Sequence, residues 1–237
     1  MNNYKIIRAD DYMDLARRTS QLIASYIDLI LDQKERAQIA LSGGSTPSET
    51  YRLLSKEHLP WNRVDLFLGD ERWVDHQDKA SNAGMIRRTI LSSGPGSSCK
   101  FHPIPTVECL NSTESAKAFS ILLEKVCIGK PPIFDLILLG LGDDGHTASL
   151  FPNSDSLIVK DRWTCIGNAN GHDRISLTAP VLSSARKIIF LVSGSSKRTA
   201  LQRLIDPDES SNRTPAKLVK SKSEIIIMTD TDVFSNT

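Results

Sequence analysis

Residues 134–152 read FDLILLGLGDDGHTASLFP, and this stretch decides the fold class. Its first part, residues 134–139, is an uninterrupted apolar run, which is typical of a strand buried on both faces of a parallel sheet. A glycine turn follows and carries Asp143, Asp144 and His146. A short helix is predicted after His146, ending at the proline that closes the stretch. Because parallel sheets bind ligands at the carboxyl ends of their strands, we expect this turn to belong to a functional site.

Helical and strand patterns alternate along the rest of the chain. Helices are predicted at about residues 11–32, 48–55, 82–91, 112–127 and 197–205. Short strands, mostly apolar rather than alternating, are predicted at residues 38–41, 64–68, 163–166, 174–178, 187–192 and 225–228. This order predicts an α/β fold with a parallel sheet that helices cover on both faces. One domain over residues 1–237 is expected at this length.

The composition excludes several classes of function. The 237 residues are 40% hydrophobic and 24% charged, and the formal net charge of +1 gives no field that would attract nucleic acid or an anionic membrane. No apolar run has the length of a membrane span, and the N-terminal residues lack the apolar core of a signal peptide. The four cysteines show no zinc-ligand spacing, so we expect reduced thiols, no metal, and a cytoplasmic protein.

Four of the predicted strands end in glycine, hydroxyl or charged residues, at 42–47, 69–72, 140–146 and 193–197. The strands of one parallel sheet share a carboxyl edge, so these four loops are expected to converge. The first loop joins a strand to a helix. Free backbone N–H groups at such a junction form a natural phosphate cradle, although a plain turn with a Ser or Thr N-cap would read the same way.

Three cations are candidates for binding an anion at this edge. Arg72 can clamp a phosphate or carboxylate through two hydrogen bonds. Lys197 precedes a predicted helix, whose dipole also favours an anion. Arg174 begins a predicted strand and would reach the same edge. The alternative for each of the three is an ordinary surface cation.

His146 is the candidate general base. A histidine can take a proton from water and return it, and a nearby carboxylate, from Asp143 or Asp144, can fix its tautomer. A structural histidine is the alternative. The string GLGDDG also matches the dinucleotide-binding pattern, which we reject because the predicted helix is too short and two aspartates would repel a pyrophosphate. The residues thus indicate a small phosphorylated ligand and a water-activating histidine.

At these positions the chain resembles the 6-phosphogluconolactonase family, in the glucosamine-6-phosphate isomerase/6-phosphogluconolactonase superfamily. The matching pieces are LSGGSTP (41–47), LGDERWV (68–74) with Ser81-Asn82, the opening stretch, RISLTAPVL (174–182), FLVSGSSK (190–197) and Pro215-Ala216. The resemblance implies a Rossmann-like α/β fold shared with glucosamine-6-phosphate deaminase and ribose-5-phosphate isomerase. It also implies hydrolysis of 6-phospho-D-glucono-1,5-lactone to 6-phospho-D-gluconate, the second step of the oxidative pentose phosphate pathway.

The resemblance also implies residue roles. His146 would activate water and then protonate the leaving ring oxygen, with Asp144 orienting it. The substrate would be held by Gly43, Gly44, Ser45, Thr46, Arg72, Arg174 and Lys197. No cofactor, nucleic acid, membrane or obligate protein partner is expected. Two alternatives remain: a sugar-phosphate isomerase or deaminase on the same fold, whose motif continues GHIAFNEP where this chain reads GHTASLFP, and a non-catalytic sugar-phosphate sensor.

Overall fold

The computed structural model describes residues 2–233, within which the chain forms ten strands and six α-helices. The strands are β1 (Tyr4–Arg8), β2 (Ala37–Leu41), β3 (Val64–Leu68), β4 (Asp70–Arg72), β5 (Lys100–His102), β6 (Leu136–Leu139), β7 (Thr164–Ala169), β8 (His172–Leu177), β9 (Lys187–Val192) and β10 (Ile225–Thr229). The helices are α1 (Tyr12–Leu31), α2 (Thr46–Leu54), α3 (Asn82–Thr89), α4 (Ser112–Val126), α5 (Ala179–Ser183) and α6 (Arg198–Ile205).

Seven strands form the central sheet in the order β1-β10-β9-β6-β2-β3-β5, and every neighbouring pair is parallel. From β2 the chain proceeds outward through β3 to β5, whereas β6 pairs with the other side of β2 and leads to β9 and β10. The strand order therefore reverses between β2 and β6. The loops that follow these two strands face each other, which opens a crevice at the carboxyl edge of the sheet.

The core confirms the fold class predicted from the apolar strands. Strands β2, β3, β6 and β10 are buried at every position. Side-chain caps begin three of the helices that cover the sheet: Asp11 accepts from the N–H of Asp14, Ser81 from Gly84, and Asn111 from Glu114. Within residues 2–233, no helix combines the length and hydropathy that a membrane span requires.

A second sheet, absent from the sequence prediction, stands beside the first. It has the order β4-β8-β7 and is antiparallel. Residues 70–72 were predicted as a loop but form β4, and β7 and β8, predicted as members of the parallel sheet, belong here instead. The two sheets are joined where the N–H of Leu177 donates to the carbonyl of Gly69, at 2.9 Å. Strands β1 and β5 were not predicted either, because they are edge strands that are only partly buried and lack a continuous apolar run.

The predicted short helix after His146 is wrong. Residues 147–150 form a tight turn in which the N–H of Leu150 donates to the carbonyl of Thr147, at 3.0 Å. Ala148 has a φ of 47°, in the left-handed region, and this interrupts any right-handed helix. The single-domain prediction for residues 1–237 stays a prediction, and its ends, residues 1 and 234–237, lie outside the described residues.

Candidate active site

A cavity of about 240 Å³ lies in the crevice where the strand order reverses. The four predicted strand-end loops all contribute to its wall, because their strands are parallel and end at one edge. Its wall is formed by Ser42, Gly43, Gly44, Ser45, Thr46, Pro47, Asp70, Arg72, Asn82, Gly140, Leu141, Gly142, His146, Ala148, Arg174, Leu191, Val192, Ser193 and Lys197. Every predicted site residue except Asp144 is in this wall, and Asp144 contacts the ring of His146.

The two adjacent aspartates of the glycine turn have different partners. Asp144 Oδ1 lies 2.6 Å from His146 Nδ1 and accepts the backbone N–H of His146 at 3.0 Å. Asp143 instead pairs with Lys197, whose Nζ lies 2.7 Å from its Oδ1. The choice between the two carboxylates that the sequence left open is thus made by the fold: Asp144 contacts the imidazole.

The contact with Asp144 determines which proton the imidazole carries. Partial burial acts to raise the pKa of Asp144. The hydrogen bond from the His146 backbone, the charge of the His146 ring whenever that ring is protonated, and the ring's hydrogen bond outweigh it, so the pKa is lowered. The carboxylate is therefore ionised near neutral pH and accepts the Nδ1–H. We assign the tautomer from this bond, which leaves the Nε2 lone pair as the available base.

A pair of cations also lies in the cavity wall. Arg72 on β4 and Arg174 on β8 are direct partners in the antiparallel register. Burial, followed by the positive charge of Arg72, lowers the pKa of Arg174. The Nε atoms of both guanidiniums are buried, and within residues 2–233 neither has a hydrogen-bond partner. Two adjacent guanidiniums with unused donors are a suitable arrangement for an oxyanion.

The loop of residues 42–46 leads into α2 without a side-chain cap. Ser45 is the N-cap residue, yet its side chain makes no capping hydrogen bond. Gly44 has a φ of 99° in this turn, a conformation that favours glycine. The buried Ser42 hydroxyl is also without a partner in the described part of the chain. An uncapped helix start beside a glycine turn favours the phosphate cradle over the plain capped turn.

Four polar residues of the wall were missed by the sequence reasoning: Ser42, Asp70, Asn82 and Ser193. Asp70 is buried and accepts a hydrogen bond from the Ser149 hydroxyl at 2.6 Å. Its position next to the other strand-end charges was a usable signal. Asn82 belongs, with Ser81, to the pieces that resemble the family, but no site role was predicted for it; it enters the wall from the start of α3, ten residues after Arg72 in the chain.

Potential metal ligands are not clustered within residues 2–233, and two of the four thiols are buried. No group of three or more His, Cys, Asp or Glu side chains in this range is arranged to hold a metal ion. All four cysteines are free thiols. Burial raises the pKa of Cys99, Cys127 and Cys165 to about 12, so these three are protonated and poor nucleophiles at neutral pH.

Comparison with known proteins gives consistent matches over nearly the whole chain. The family described as glucosamine-6-phosphate isomerases/6-phosphogluconolactonase matches residues 10–228. The 6-phosphogluconolactonase of Synechocystis sp. is 37% identical over 227 residues, which are 94% of this chain and 93% of the relative. That of Nostoc sp. is 35% identical over 223 residues, 93% and 92% of the two chains.

Solved structures agree with these relatives. A 6-phosphogluconolactonase from Shewanella baltica superposes with a TM-score of 0.86 at 26% identity, covering 98% of both chains. The enzyme from Trypanosoma brucei gives a TM-score of 0.87 at 25% identity, also over 98% of both chains. The fold predicted from the sequence is therefore confirmed in its family as well as in its class.

Proposed function

The chain belongs to the glucosamine-6-phosphate isomerase/6-phosphogluconolactonase family, and from this premise we propose that its cavity hydrolyses 6-phospho-D-glucono-1,5-lactone to 6-phospho-D-gluconate, in the oxidative pentose phosphate pathway. The chain is an enzyme of the lactone-hydrolysing esterase class, as its curated relatives are. The observation that carries the finer proposal is the position of the His146–Asp144 pair, which lies in the same cavity as two arginines with unused donors.

His146 is the general base of the proposed mechanism. Its Nε2 takes a proton from a water molecule while the water oxygen attacks the lactone carbonyl carbon, and Asp144 stabilises the imidazolium that forms. The tetrahedral intermediate collapses by breaking the bond to the ring oxygen. The imidazolium returns its proton to that oxygen, so a carboxylic acid and a hydroxyl are formed and His146 is neutral again. The acid then loses its proton to solvent and leaves as the carboxylate.

Binding of the phosphate is assigned to the two arginines and the glycine loop of the cavity wall. Arg72 and Arg174 supply side-chain donors, and residues 43–46 supply backbone N–H groups at the start of α2. Lys197 adds a third cation once it exchanges Asp143 for the substrate. A lactone is an activated ester, so positioning together with base catalysis is sufficient and the proposal needs no metal or cofactor.

The proposal is tested with a lactonase assay coupled to oxidation of 6-phosphogluconate, after subtracting spontaneous hydrolysis. We expect His146→Ala to lower kcat by at least about 10²-fold, because the proton acceptor is lost. Asp144→Asn should lower kcat as well, since an amide cannot stabilise the imidazolium. His58→Ala is the matched control, because His58 is exposed and lies outside the cavity wall. Normal turnover in His146→Ala would rule out this mechanism.

The same proteins are assayed for release of ammonia from glucosamine 6-phosphate. Asp70 places a further carboxylate in the cavity wall, and an isomerase or deaminase would use such a group for proton transfer. We expect no substantial turnover there. Faster turnover of glucosamine 6-phosphate than of the lactone would favour the isomerase or deaminase hypothesis. Lactonase activity that is lost in His146→Ala would exclude the hypothesis of a non-catalytic sensor.

A further inference from the structure

Asn82 lies where three segments of the cavity wall meet, and it is 2% exposed. Its Nδ2 donates to the backbone carbonyl of Asp70 at 2.8 Å, and its Oδ1 accepts from Arg72 Nη1 at 3.1 Å. Its amide also covers Gly43. A Cβ built on Gly43 would overlap Oδ1, Cγ and Nδ2 of Asn82, which are the three nearest atoms. One amide thus contacts the loop after β2, the strand β4 and a guanidinium.

Glu71 fixes Asn82 in this place. The Glu71 carboxylate is fully buried and accepts the backbone N–H groups of Asn82 at 2.8 Å and Ala83 at 2.7 Å. It also accepts the hydroxyl of Ser81 at 3.1 Å and the backbone N–H of Arg72 at 2.8 Å. The start of α3 and the end of β4 are therefore bound to one carboxylate, so the Asn82 side chain has a defined direction.

The hydrogen bonds of Arg72 divide its guanidinium into two parts. Nη1 is held by protein, since it donates to the carbonyl of Ala80 at 2.5 Å as well as to Asn82. Nε is buried and has no partner within residues 2–233. Because Nη1 is held, the direction in which Arg72 presents the rest of its planar guanidinium at the cavity wall is fixed.

We propose that Asn82 is a positioning residue that acts through Arg72 to set the geometry of phosphate binding, and that its interlock with Gly43 fixes the distance between Arg72 and the loop of residues 42–46. The inference rests on the proposed function, in which both of these groups bind the phosphate. Asn82 itself needs no contact with the substrate. Its effect on catalysis is expected in KM, because the phosphate lies away from the bond that breaks.

The test is a double-mutant cycle on the full chain, with KM and kcat for the lactone as the readout. Asn82→Ala should raise KM about tenfold by freeing the guanidinium, while kcat changes much less. In the Arg72→Ala background, Asn82→Ala should raise KM no further, since its effect passes through Arg72. An additive effect in the double variant would overturn the proposal.

Two further variants separate positioning from folding. Asn82→Asp keeps the volume but loses the donor to Asp70 and places a carboxylate beside Arg72, so KM should rise in this variant too. Wild-type KM in both Asn82 variants would overturn the inference. Asn111→Ala is the control: Asn111 caps α4 through its side chain, so its loss should lower thermal stability and leave KM unchanged.

The close contact between Gly43 and Asn82 can be tested separately, by measuring thermal stability. Gly43→Ala alone should destabilise the protein, and the loss should be smaller when Asn82→Ala has removed the overlapping atoms. Equal losses in the two backgrounds would contradict the interlock. Failure of the proposed function looks different from failure of this inference: Arg72→Ala with normal KM refutes the phosphate site itself, whereas raised KM in Arg72→Ala with normal KM in both Asn82 variants refutes only the role of Asn82.

Discussion

At the scale of single residues, Gly142 makes room for the His146–Asp144 pair. A Cβ at position 142 would overlap the imidazole at Nδ1 and Cε1 and would lie 2.6 Å from Asp144 Oδ1. The backbone of Gly142 also closes the turn, because its N–H donates to the carbonyl of His146 at 2.8 Å. The space that a side chain at position 142 would need is occupied by the two groups assigned to catalysis. Glycine is therefore required there for steric reasons.

We predict that Gly142→Ala lowers kcat for the lactone by about 10²-fold, the contribution of a correctly placed general base, because the methyl group displaces the imidazole. The measurement is steady-state kinetics together with a thermal melt. Gly69→Ala is the matched control: a Cβ there would be 3.7 Å from its nearest neighbour, the carbonyl of Leu41, which is ordinary contact. Equal losses of kcat in both variants would show that Gly142 has no specific role.

At the scale of elements, the strand edge opposite the cavity is held by a buried carboxylate. Asp65 on β3 contacts Arg36 Nε, just before β2, at 2.6 Å, and His102 Nε2 on β5 at 2.8 Å. The His102 ring stacks on Phe67 with centroids 4.6 Å apart. Burial acts to raise the pKa of Asp65, but the bonds from Arg36 and His102 outweigh it and lower the pKa. Three neighbouring segments thus depend on one ionised group.

The lowered pKa predicts that this stabilisation is lost in acid. Asp65 ionises more readily in the folded than in the unfolded chain, so its contribution is complete above the unfolded pKa of about 3.9 and disappears as pH falls through the folded pKa. Urea unfolding should show Asp65→Asn less stable than wild type by about 2 kcal/mol at pH 6. The difference should shrink towards pH 3.

The control for this experiment is Asp161→Asn, which removes an exposed partner of Arg162 and should cost no measurable stability at either pH. A difference between wild type and Asp65→Asn that stays constant from pH 6 to pH 3 would mean that the ionisation of Asp65 is not what stabilises the fold. A packing defect in the variant would give that result.

At the scale of the whole molecule, three distant parts of the chain bring positive charge to one place. Arg72 lies on β4, Arg174 on β8, and Lys197 follows β9, yet all three are in the cavity wall. The net charge of +1 gives no hint of this concentration. Their environments differ, because Lys197 is paired with Asp143 whereas Arg174 lies over the Phe151 ring at 5.5 Å, with its Nε unused.

These environments predict unequal effects on substrate binding. Arg174→Ala should raise KM for the lactone about tenfold or more, because a buried donor to the phosphate is lost. Lys197→Ala should raise KM less, since the substrate must first displace Asp143. Lys222→Ala, an exposed cation just before β10 at the opposite sheet edge, is the control and should leave KM unchanged. If neither cavity variant changed KM, both residues would be excluded from the phosphate site.

Most strands and helices followed from local patterns, and the exceptions have physical causes. An apolar run such as residues 187–192 predicts a strand without knowledge of the strands beside it. A strand that is buried on both faces needs apolar side chains at almost every position. Strands β1 and β5 carry mixed residues at the sheet edges, and β4 is only three residues long, so their pairing depends on partners distant in sequence. The helix predicted after His146 failed because Ala148 takes a left-handed conformation that no propensity indicates.

The amino-acid pattern alone predicts the α/β class, the four loops at the carboxyl edge and the residues of the family motif. Strand polarity is enough to make such loops converge. The fold determines which aspartate contacts His146, places Arg72 beside Arg174, and lets Asn82 connect Arg72 to the glycine loop. These facts depend on side-chain direction and on contacts between segments far apart in the chain. Asp144 contacts the imidazole and Asp143 contacts Lys197, a difference that two identical adjacent residues cannot encode locally.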